Sequence, residues 1–296
     1  MKFARRLQAK YYRIRDQYRG IRRKKYLSHA KLEYGLNRDN VKNPTYIISM
    51  ASYKGRYNIL PIVLKSLILQ TIKADRIIVW LDEENEENKI TPEMEQLKQY
   101  GVEYRYTVDG LKPHKKYLYT MLEYPDANVI TVDDDVIYPE DLVNSMIQYH
   151  EKYPYAICAR RVHKITFDSE NKLEPYIMWE YECRNVKNPS LLLCATGCGG
   201  VLYPARLLPE ETLDISLIKE LSLEADDIWL KIMEVRNKIP VVWVRSKYVM
   251  PLEIEESQKT ALNKKNVGEG RNDFFIEKLL NKYPEVYKTL LNEEEN

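Results

Sequence analysis

The sequence contains no long, uninterrupted apolar run. A helix that crosses a bilayer needs roughly 18 to 20 consecutive apolar residues, and no segment of this 296-residue chain reaches that length. The first residues also lack the short apolar core of a secretory signal. These two absences predict a protein that stays in the cytoplasm.

Cysteine is scarce, and its spacing excludes the usual structural roles. The chain has four cysteines, and no two of them show the C-x-x-C spacing of zinc sites or redox motifs. Free, buried thiols are therefore expected at Cys158, Cys183, Cys194 and Cys198. Hydrophobic residues make up 44% and charged residues 30% of the chain, proportions that exclude a disordered or collagen-like protein.

The start of the chain has few acids and many bases. Residues 1–32 hold twelve Lys or Arg against one acid, Asp16, which leaves 34 basic and 43 acidic residues for the remainder. Apolar side chains recur there every three or four positions, at Phe3, Leu7, Tyr11, Ile14, Tyr18 and Ile21. This pattern predicts a basic amphipathic helix. An anionic membrane surface is the favoured partner, and docking on the protein body or binding of a nucleic acid are the alternatives.

After this arm, predicted strands and helices alternate. Strands are expected at 46–50, 76–81, 102–108, 128–132, 155–161, 201–204 and 241–244, with helices between them. The order predicts an α/β fold with a mainly parallel sheet. The chain divides into a helical arm at 1–40, the main α/β domain at 41–250, and a C-terminal loop and helix at 251–296. The polar loop at 253–273 is a candidate lid.

Three adjacent acids, Asp133, Asp134 and Asp135, directly follow the fourth predicted strand. Ligands of open α/β sheets bind beyond the carboxyl ends of the parallel strands. Adjacent carboxylates repel one another and raise each other's pKa unless a cation compensates, and hard oxygen ligands suit Mg²⁺ or Mn²⁺. We therefore expect a divalent metal ion at this point. The alternative is a polar cap for the helix that begins near Glu140.

The run from Val132 to Pro139 resembles the D-x-D region of GT-A glycosyltransferases, and its neighbours resemble a bacterial branch related to the family 2 enzymes. The resemblance extends from about Thr45 to Val244. It implies a GT-A fold, a nucleotide-diphosphate sugar donor, most simply a UDP-sugar, and Mn²⁺ or Mg²⁺ bound through Asp133 and Asp135. One departure concerns the metal shell, because many GT-A enzymes add a late histidine and this chain has none after His163.

The same resemblance assigns the donor side of the site. It implies a nucleotide pocket lined by Ser49, Ala51, Ser52, Tyr53 and Arg56, an acid for the base N–H at Asp82, cations near the diphosphate at Lys112, Lys115 and Lys116, and donor contacts from Asp133 and Asp134. For Arg56 the alternative is an ion pair with surface acids, and for the three lysines it is a solvated loop.

The second half of the chain supplies the expected base and the acceptor side. The run from Ala225 to Trp229 resembles the acidic pair that precedes a helix in inverting GT-A enzymes, which implies that Asp227 is the base, with Asp226 in reserve. A helix cap is the alternative for this pair. The expected acceptor-side residues are Gly197, Gly199, Gly200 and Trp229. Arg160, Arg161 and His163 are candidates for phosphate or acceptor contacts.

Together these features predict a metal-dependent, inverting glycosyltransferase of bacterial surface polysaccharide synthesis. The acceptor would be a glycan or a lipid-linked glycan, and the basic arm would hold the enzyme at the inner face of the membrane. One alternative is a polyanion-binding protein that uses the arm. Another is a nucleotidyltransferase, which shares the nucleotide-binding layout and the metal carboxylates.

Overall fold

The computed structural model describes residues 15, 18–39, 45–86, 88–245, 252–254 and 270–295. The strands are β1 (Tyr46–Ala51), β2 (Arg76–Leu81), β3 (Val102–Tyr106), β4 (Asn128–Val132), β5 (Val136–Ile137), β6 (Ile157–Ala159), β7 (Val162–Lys164), β8 (Leu193–Ala195), β9 (Val201–Pro204), β10 (Val241–Trp243) and β11 (Leu252–Glu253). The helices are α1 (18–29), α2 (Leu60–Ile68), α3 (Pro92–Leu97), α4 (Lys115–Glu123), α5 (Leu142–Lys152), α6 (Ile215–Leu221), α7 (Asp226–Arg236), α8 (Arg271–Lys282) and α9 (Pro284–Glu295).

Seven of these strands form one sheet in the order β10-β6-β9-β4-β1-β2-β3. Neighbouring strands are parallel except at β9, which is antiparallel to both β4 and β6. The carboxyl ends of the other six strands and the start of β9 therefore lie at one edge of the sheet. This mixed, mainly parallel sheet confirms the predicted fold class.

Helices cover both faces of the sheet, because the buried strands present apolar side chains to both sides. All five residues of β4 are buried. Val129 packs with Leu118 of α4 and with residues of α7, whereas the next residue, Ile130, packs with α2 and α5 on the opposite face. The loops at the carboxyl edge are thus held by an apolar core on each side.

Local sequence signals set the ends of α3. The Thr91 hydroxyl accepts a hydrogen bond from the backbone N–H of Met94 at 3.2 Å, and Pro92 occupies the first turn. Gly101 follows with φ of 100°, a left-handed conformation that favours glycine. These residues mark the beginning and the end of the helix.

Other boundaries differ from the predicted ones. The strand expected at 155–161 is shorter, because Tyr155 is exposed before β6 begins. The acidic pair expected before a helix lies in its first turn, because α7 begins at Asp226, and the preceding Glu224 forms ion pairs with Lys112 and Arg271. The sequence pattern did not predict four short strands, β5, β7, β8 and β11. The four cysteines are free, as predicted, and all but one are buried.

The described part of the basic arm packs on the body of the protein. Leu27 of α1 is fully buried in the core, and Arg23 forms an ion pair with Glu140 at 3.3 Å. Tyr18 and Ile21 are 62% and 68% exposed. Residues 1–14 and 16–17 of the arm, like residues 255–269 of the expected lid, lie outside the described residues. Within the described ranges, no helix has both the length and the apolar character that crossing a membrane requires.

Candidate active site at the carboxyl edge of the sheet

The acid triplet begins where β4 leaves the sheet. Val132, its last residue, pairs with Met50 of β1, and Asp133 follows at the carboxyl edge. The backbone N–H of Asp133 donates to the hydroxyl of Tyr138 at 2.8 Å, and that hydroxyl donates to the carbonyl of Cys198 at 3.3 Å. Tyr138 is fully buried, so it ties the acid triplet firmly to the glycine-rich turn before β9.

A buried lysine joins the acid triplet to the acidic pair of α7. The ammonium of Lys116 lies 3.0 Å from Oδ1 of Asp133 and 2.7 Å from Oδ2 of Asp226. Burial alone would lower the pKa of Lys116, but the carboxylates of Asp133, Asp226 and Asp227 outweigh it and raise that pKa well above its usual range. Lys116 is therefore a permanent cation between two carboxylates that are far apart in sequence.

The two acids of α7 have different environments. Asp226 is buried, and although burial opposes ionisation, the charge of Lys116 holds the pKa of Asp226 below its usual range. Asp227 is half-buried, and both of its carboxylate oxygens accept the backbone N–H of Gly197, at 3.1 and 3.2 Å. Burial and the charge of Asp226 raise the pKa of Asp227 well above its usual range. Asp226 is fixed as an anion, whereas Asp227 has the properties of a proton acceptor near neutral pH.

The other two acids of the triplet contact the loop after β1. The hydroxyl of Ser52 donates to Asp134 at 2.6 Å, and buried Arg56 lies 2.9 Å from Oδ2 of Asp135. Burial raises the pKa of Asp134 to about 7, although the Ser52 hydrogen bond opposes the shift. Arg56 therefore pairs with an acid of the site and not with surface acids. Tyr53 is 41% exposed beside it, and the Arg56 guanidinium lies 6.0 Å from its ring centroid.

A second group of polar side chains lies beyond β2. The buried ammonium of Lys115 contacts Oδ1 of Asp82 at 2.6 Å, and the Asp82 side chain is 47% exposed. The hydroxyl of Tyr57 is buried and has no hydrogen-bond partner among the described residues. Burial and the neighbouring Tyr106 and Asp82 raise the pKa of Tyr57. A buried hydroxyl without a partner beside a half-exposed carboxylate is suited to a ligand with polar edges.

The turn before β9 requires glycine because the site crowds it. A Cβ atom on Gly197 would lie 2.6 Å from the ammonium of Lys116 and 3.3 Å from oxygens of both Asp133 and Asp227. A Cβ atom on Gly199 would lie 2.6 Å from Cβ of Arg161. The backbone of this turn therefore passes close to both the acid triplet and the acids of α7.

Some expected site residues lie away from this cluster. Ser49 is fully buried and shares a hydrogen bond with Thr120 at 2.7 Å. Trp229 is fully buried in the core, and its indole N–H donates to the carbonyl of Thr212 at 3.0 Å. Lys112 pairs with Glu224 at the rim. Ala51 ends β1 and is half-buried, and Gly200, with φ of 85°, begins the return into β9. The structure therefore gives Ser49 and Trp229 packing contacts, with no exposed surface for a substrate.

Two further residues, Tyr138 and Glu253, lie at the site, although the sequence predicted no role for either. The backbone N–H of Ile254 donates to the carbonyl of Asp135 at 2.8 Å, and β11 pairs with β5, so Glu253 lies beside the triplet. Burial raises the pKa of Glu253, and the charges of Asp135 and Asp133 add to the shift. Tyr138 lies within the quoted acid motif, whereas no pattern around Glu253 indicates its position.

The donor set at the triplet fits a divalent metal ion that is completed by ligand oxygens. The side chains of Asp133 and Asp135 are 30% and 15% exposed, so both carboxylates reach the surface of the site. In the part of the chain that is described, no group of three or more His, Cys, Asp or Glu side chains is arranged to hold a metal ion. Mg²⁺ and Mn²⁺ are commonly held by one or two carboxylates together with substrate phosphates. Asp133 and Asp135 can provide the two carboxylates.

Two solved structures align with this chain. The chain aligns with the mannosyltransferase PcManGT from Pyrobaculum calidifontis in complex with GDP-Man and Mn²⁺, with a TM-score of 0.50 and 12% identity, over 94% of this chain and 76% of that one. S. aureus TarS 1-349 in complex with UDP aligns with a TM-score of 0.44 and 13% identity, over 68% of this chain and 59% of that one. No curated protein sequence matches the chain.

The fold is of the GT-A type, the fold of known glycosyltransferases. The sequence model of Glycosyl transferase family 2 matches residues 47–205, which is more than half of the chain. The protein therefore belongs to glycosyl transferase family 2. Family membership also decides between the classes left open by the sequence, because it favours a transferase over a polyanion-binding protein or a nucleotidyltransferase.

Proposed function

We propose that the protein is a metal-dependent, inverting glycosyltransferase that uses a nucleotide-diphosphate sugar, most simply a UDP-sugar. One observation carries the proposal. The acids after β4 and the acids of α7 meet at a single buried cation, Lys116, which contacts Asp133 and Asp226. A site for transfer from a diphosphate needs a metal-binding group and a base within the same cavity, and this contact brings the two groups together.

Asp227 is the proposed base. Inverting transfer requires a carboxylate that accepts the proton of the acceptor hydroxyl as the new glycosidic bond forms. Asp227 is half-buried, its orientation is fixed by the N–H of Gly197, and its raised pKa favours proton uptake near neutral pH. Asp226 is better suited to a positioning role, since its carboxylate is engaged by Lys116.

Asp133 and Asp135 are the proposed holders of Mn²⁺ or Mg²⁺. When bound, such an ion supplies positive charge to the departing diphosphate. The protein's own contribution is to orient both carboxylates, through Lys116 at Asp133 and through Arg56 at Asp135. Asp134 contributes by accepting the Ser52 hydrogen bond, which fixes the loop after β1 beside the triplet.

The nucleotide is proposed to bind beyond β1 and β2. Asp82 has the exposed carboxylate that a base N–H requires, and Lys115 fixes its position. The buried Tyr57 hydroxyl offers a further polar contact at this end. Tyr53, whose partly exposed ring lies near Arg56, is proposed to contact the nucleotide as well. The acceptor is proposed to approach from the side of the turn at Gly197–Gly199, where Asp227 lies.

The donor assignment is tested by thermal shift with UDP and with GDP, each with and without Mn²⁺. A ligand at one hundred times its Kd stabilises a protein by about 2.7 kcal/mol, which corresponds to a readily measured rise in Tm. We expect one nucleotide to raise Tm, and Mn²⁺ to increase the rise in the wild-type protein but not in Asp135→Asn. Equal shifts with and without Mn²⁺ in the wild-type protein would contradict the metal assignment.

We further propose that the acceptor is a bacterial surface glycan or its lipid-linked precursor and that the basic arm contacts an anionic membrane surface. The exposed Tyr18 and Ile21 of α1, beside Arg22, support this part of the proposal. Co-sedimentation with phosphatidylserine vesicles tests it. Binding that is lost at high salt or with phosphatidylcholine vesicles is expected, and equal binding to both vesicle types would contradict it.

A further inference from the structure

A partly exposed aromatic ring lies in the strip that follows β7. Tyr181 is 39% exposed, and its ring stacks on the ring of His163, with centroids 4.2 Å apart and planes 30° from parallel. The ring of Tyr176 meets Tyr181 edge-on at 5.9 Å. Protein atoms therefore fix one face and one edge of the Tyr181 ring, and the exposed part is held in a defined orientation.

The ring that supports Tyr181 is an uncharged imidazole. The backbone N–H of Glu182 donates to Nδ1 of His163 at 2.9 Å, so the ring proton is on Nε2. Burial, together with the charge of Arg161, lowers the pKa of His163 to about 3. A neutral ring stacked beneath a phenol makes a rigid, apolar support that does not change with pH in the neutral range.

The backbone holds Tyr181 in place at the cost of local strain. Glu182 has φ of 50°, a left-handed conformation that is uncommon for a residue other than glycine. Hydrogen bonds to β7 flank it on both sides: Glu180 exchanges two with Lys164, at 2.9 and 3.0 Å, and the N–H of Cys183 donates to the carbonyl of Val162 at 2.9 Å. Strain that is maintained by its surroundings is typical of ligand-binding positions.

A short series of contacts connects the segment at Tyr181 and Glu182 to Asp227, the proposed base. Nε of Arg161 lies 3.3 Å from Oε1 of Glu182, and Nη1 of Arg161 donates to the hydroxyl of Thr196 at 2.9 Å. Thr196 directly precedes Gly197, whose N–H donates to Asp227. Glu182, which follows Tyr181, is thus connected to Asp227 through a continuous series of contacts that passes through Arg161, Thr196 and Gly197.

We propose that Tyr181 is a stacking platform for a pyranose ring of the acceptor, next to the ring whose hydroxyl reacts at Asp227. One face of a pyranose presents C–H groups that pack on an aromatic ring, while its hydroxyls remain at the rim for hydrogen bonds. Glu182 and Arg161 provide charged partners at that rim. The inference rests on the proposed function and extends it, because it makes the acceptor a saccharide of at least two rings.

The test uses the full-length protein and three variants. Tyr181→Ala removes the ring, Tyr181→Phe keeps it, and Tyr155→Ala removes a ring that is 75% exposed at the opposite edge of the sheet, before β6. The probe is an array of pyranose oligosaccharides of one to four rings, presented to protein loaded with Mn²⁺ and the nucleotide that raises Tm. Loading is measured separately by thermal shift, so a failure of donor binding is distinguished from a failure of acceptor binding.

We expect the wild-type protein, Tyr181→Phe and Tyr155→Ala to bind the same glycans of two or more rings within about twofold, whereas Tyr181→Ala weakens this binding at least tenfold, a difference of about 1.4 kcal/mol. All four proteins should load nucleotide equally. The platform assignment is overturned if Tyr181→Ala binds these glycans as the wild-type protein does, or if nucleotide-loaded wild-type protein binds no glycan of the array. A loss in Tyr155→Ala equal to that in Tyr181→Ala would also overturn it.

Discussion

At the scale of single residues, Asp226 and Asp227 are neighbours in sequence with different environments and different proposed roles. The Asp226 carboxylate is buried against Lys116, whereas Asp227 is half-buried and bonded to a backbone N–H. The sequence resemblance named Asp227 as the base with Asp226 in reserve, but the sequence pattern contains no physical reason for that choice. The difference depends on Lys116, which lies in α4 more than a hundred positions earlier.

We expect Asp227→Asn to lower kcat by a factor of about 100 to 10,000, the usual contribution of a general base, with the nucleotide-induced rise in Tm unchanged. Asparagine keeps the shape of the side chain but cannot accept the proton of the acceptor hydroxyl. The measurement is initial-rate kinetics at saturating donor, combined with thermal shift. A variant with full activity would contradict the assignment of the base.

Asp226→Asn is the matched control for that variant. It leaves Lys116 with one fewer charged partner in a buried position, and removing one member of a buried ion pair costs about 3–5 kcal/mol. We therefore expect this variant to lose stability in urea unfolding, whereas Asp227→Asn should not. If the two variants had the same stability and the same activity, the division of roles between the two acids would be wrong.

At the scale of elements, the turn before β9 joins the two halves of the site. A Cβ atom on Gly197 meets the end of the flexible Lys116 side chain at 2.6 Å, whereas one on Gly199 meets both Cβ and the backbone N of Arg161, at 2.6 and 2.8 Å. A lysine terminus can move, and backbone cannot. The two glycines should therefore respond differently to the same substitution.

We expect Gly197→Ala to lose most of its transferase activity, because Lys116 is displaced from Asp133, and to lose stability as well, because that displacement weakens a buried ion pair. Gly199→Ala should lower the free energy of unfolding by about 1–3 kcal/mol, the usual cost of overpacking a filled site. Urea unfolding and initial rates on both variants measure this contrast. Gly20→Ala, with no atom within 4 Å of the added Cβ, is the control.

The long elements were predictable from the sequence, and the short ones were not. The strands β1, β2 and β4 are mostly apolar and buried, and α3 carries a clear N-cap. The pair β5–β11 has two residues on each side, and its partners are brought together by tertiary packing. The position of Glu253 at the site could not be predicted from the sequence for that reason.

Trp229 was assigned to the acceptor side because it follows Asp227, but the helical turn directs it into the core.

At the scale of the whole molecule, the acids of the site are compensated by the protein's own cations. Lys116 serves Asp133 and Asp226, and Arg56 serves Asp135. We therefore expect EDTA to abolish transfer while leaving Tm and the urea midpoint of the nucleotide-free protein unchanged. Differential scanning calorimetry with and without EDTA measures this. A large drop in Tm on chelation would mean that the metal ion has a structural role.

Buried histidines make stability depend on pH, and His114 and His163 have the largest pKa shifts. Burial lowers the pKa of His114 to about 4, and burial together with Arg161 lowers that of His163 to about 3. Both folded-state values lie below the value of about 6.5 for an unfolded histidine, so the unfolded chain binds more protons as the pH falls below 6.5. Stability should therefore fall between pH 6.5 and pH 4, by up to about 1.4 kcal/mol per pH unit for each histidine.

Urea unfolding at pH 7 and pH 5.5 measures this effect. His114→Gln removes the titrating group and keeps a donor for the carbonyl of Ser222, which His114 contacts at 2.8 Å. We expect the variant to lose less stability than the wild-type protein between the two pH values. An identical loss in both proteins would show that His114 does not contribute to the acid sensitivity.

The reversed strand β9 has a consequence for the newly made chain. It lies between β4 and β6, although the chain completes β4 and β6 first. Until β9 is inserted, the Gly197 amide cannot hold Asp227 against the acids of β4. A chain that ends after α5 lacks β9 and the acids of α7, so the partners that the acid triplet finds at Lys116 and Gly197 are complete only after residue 227 has been added.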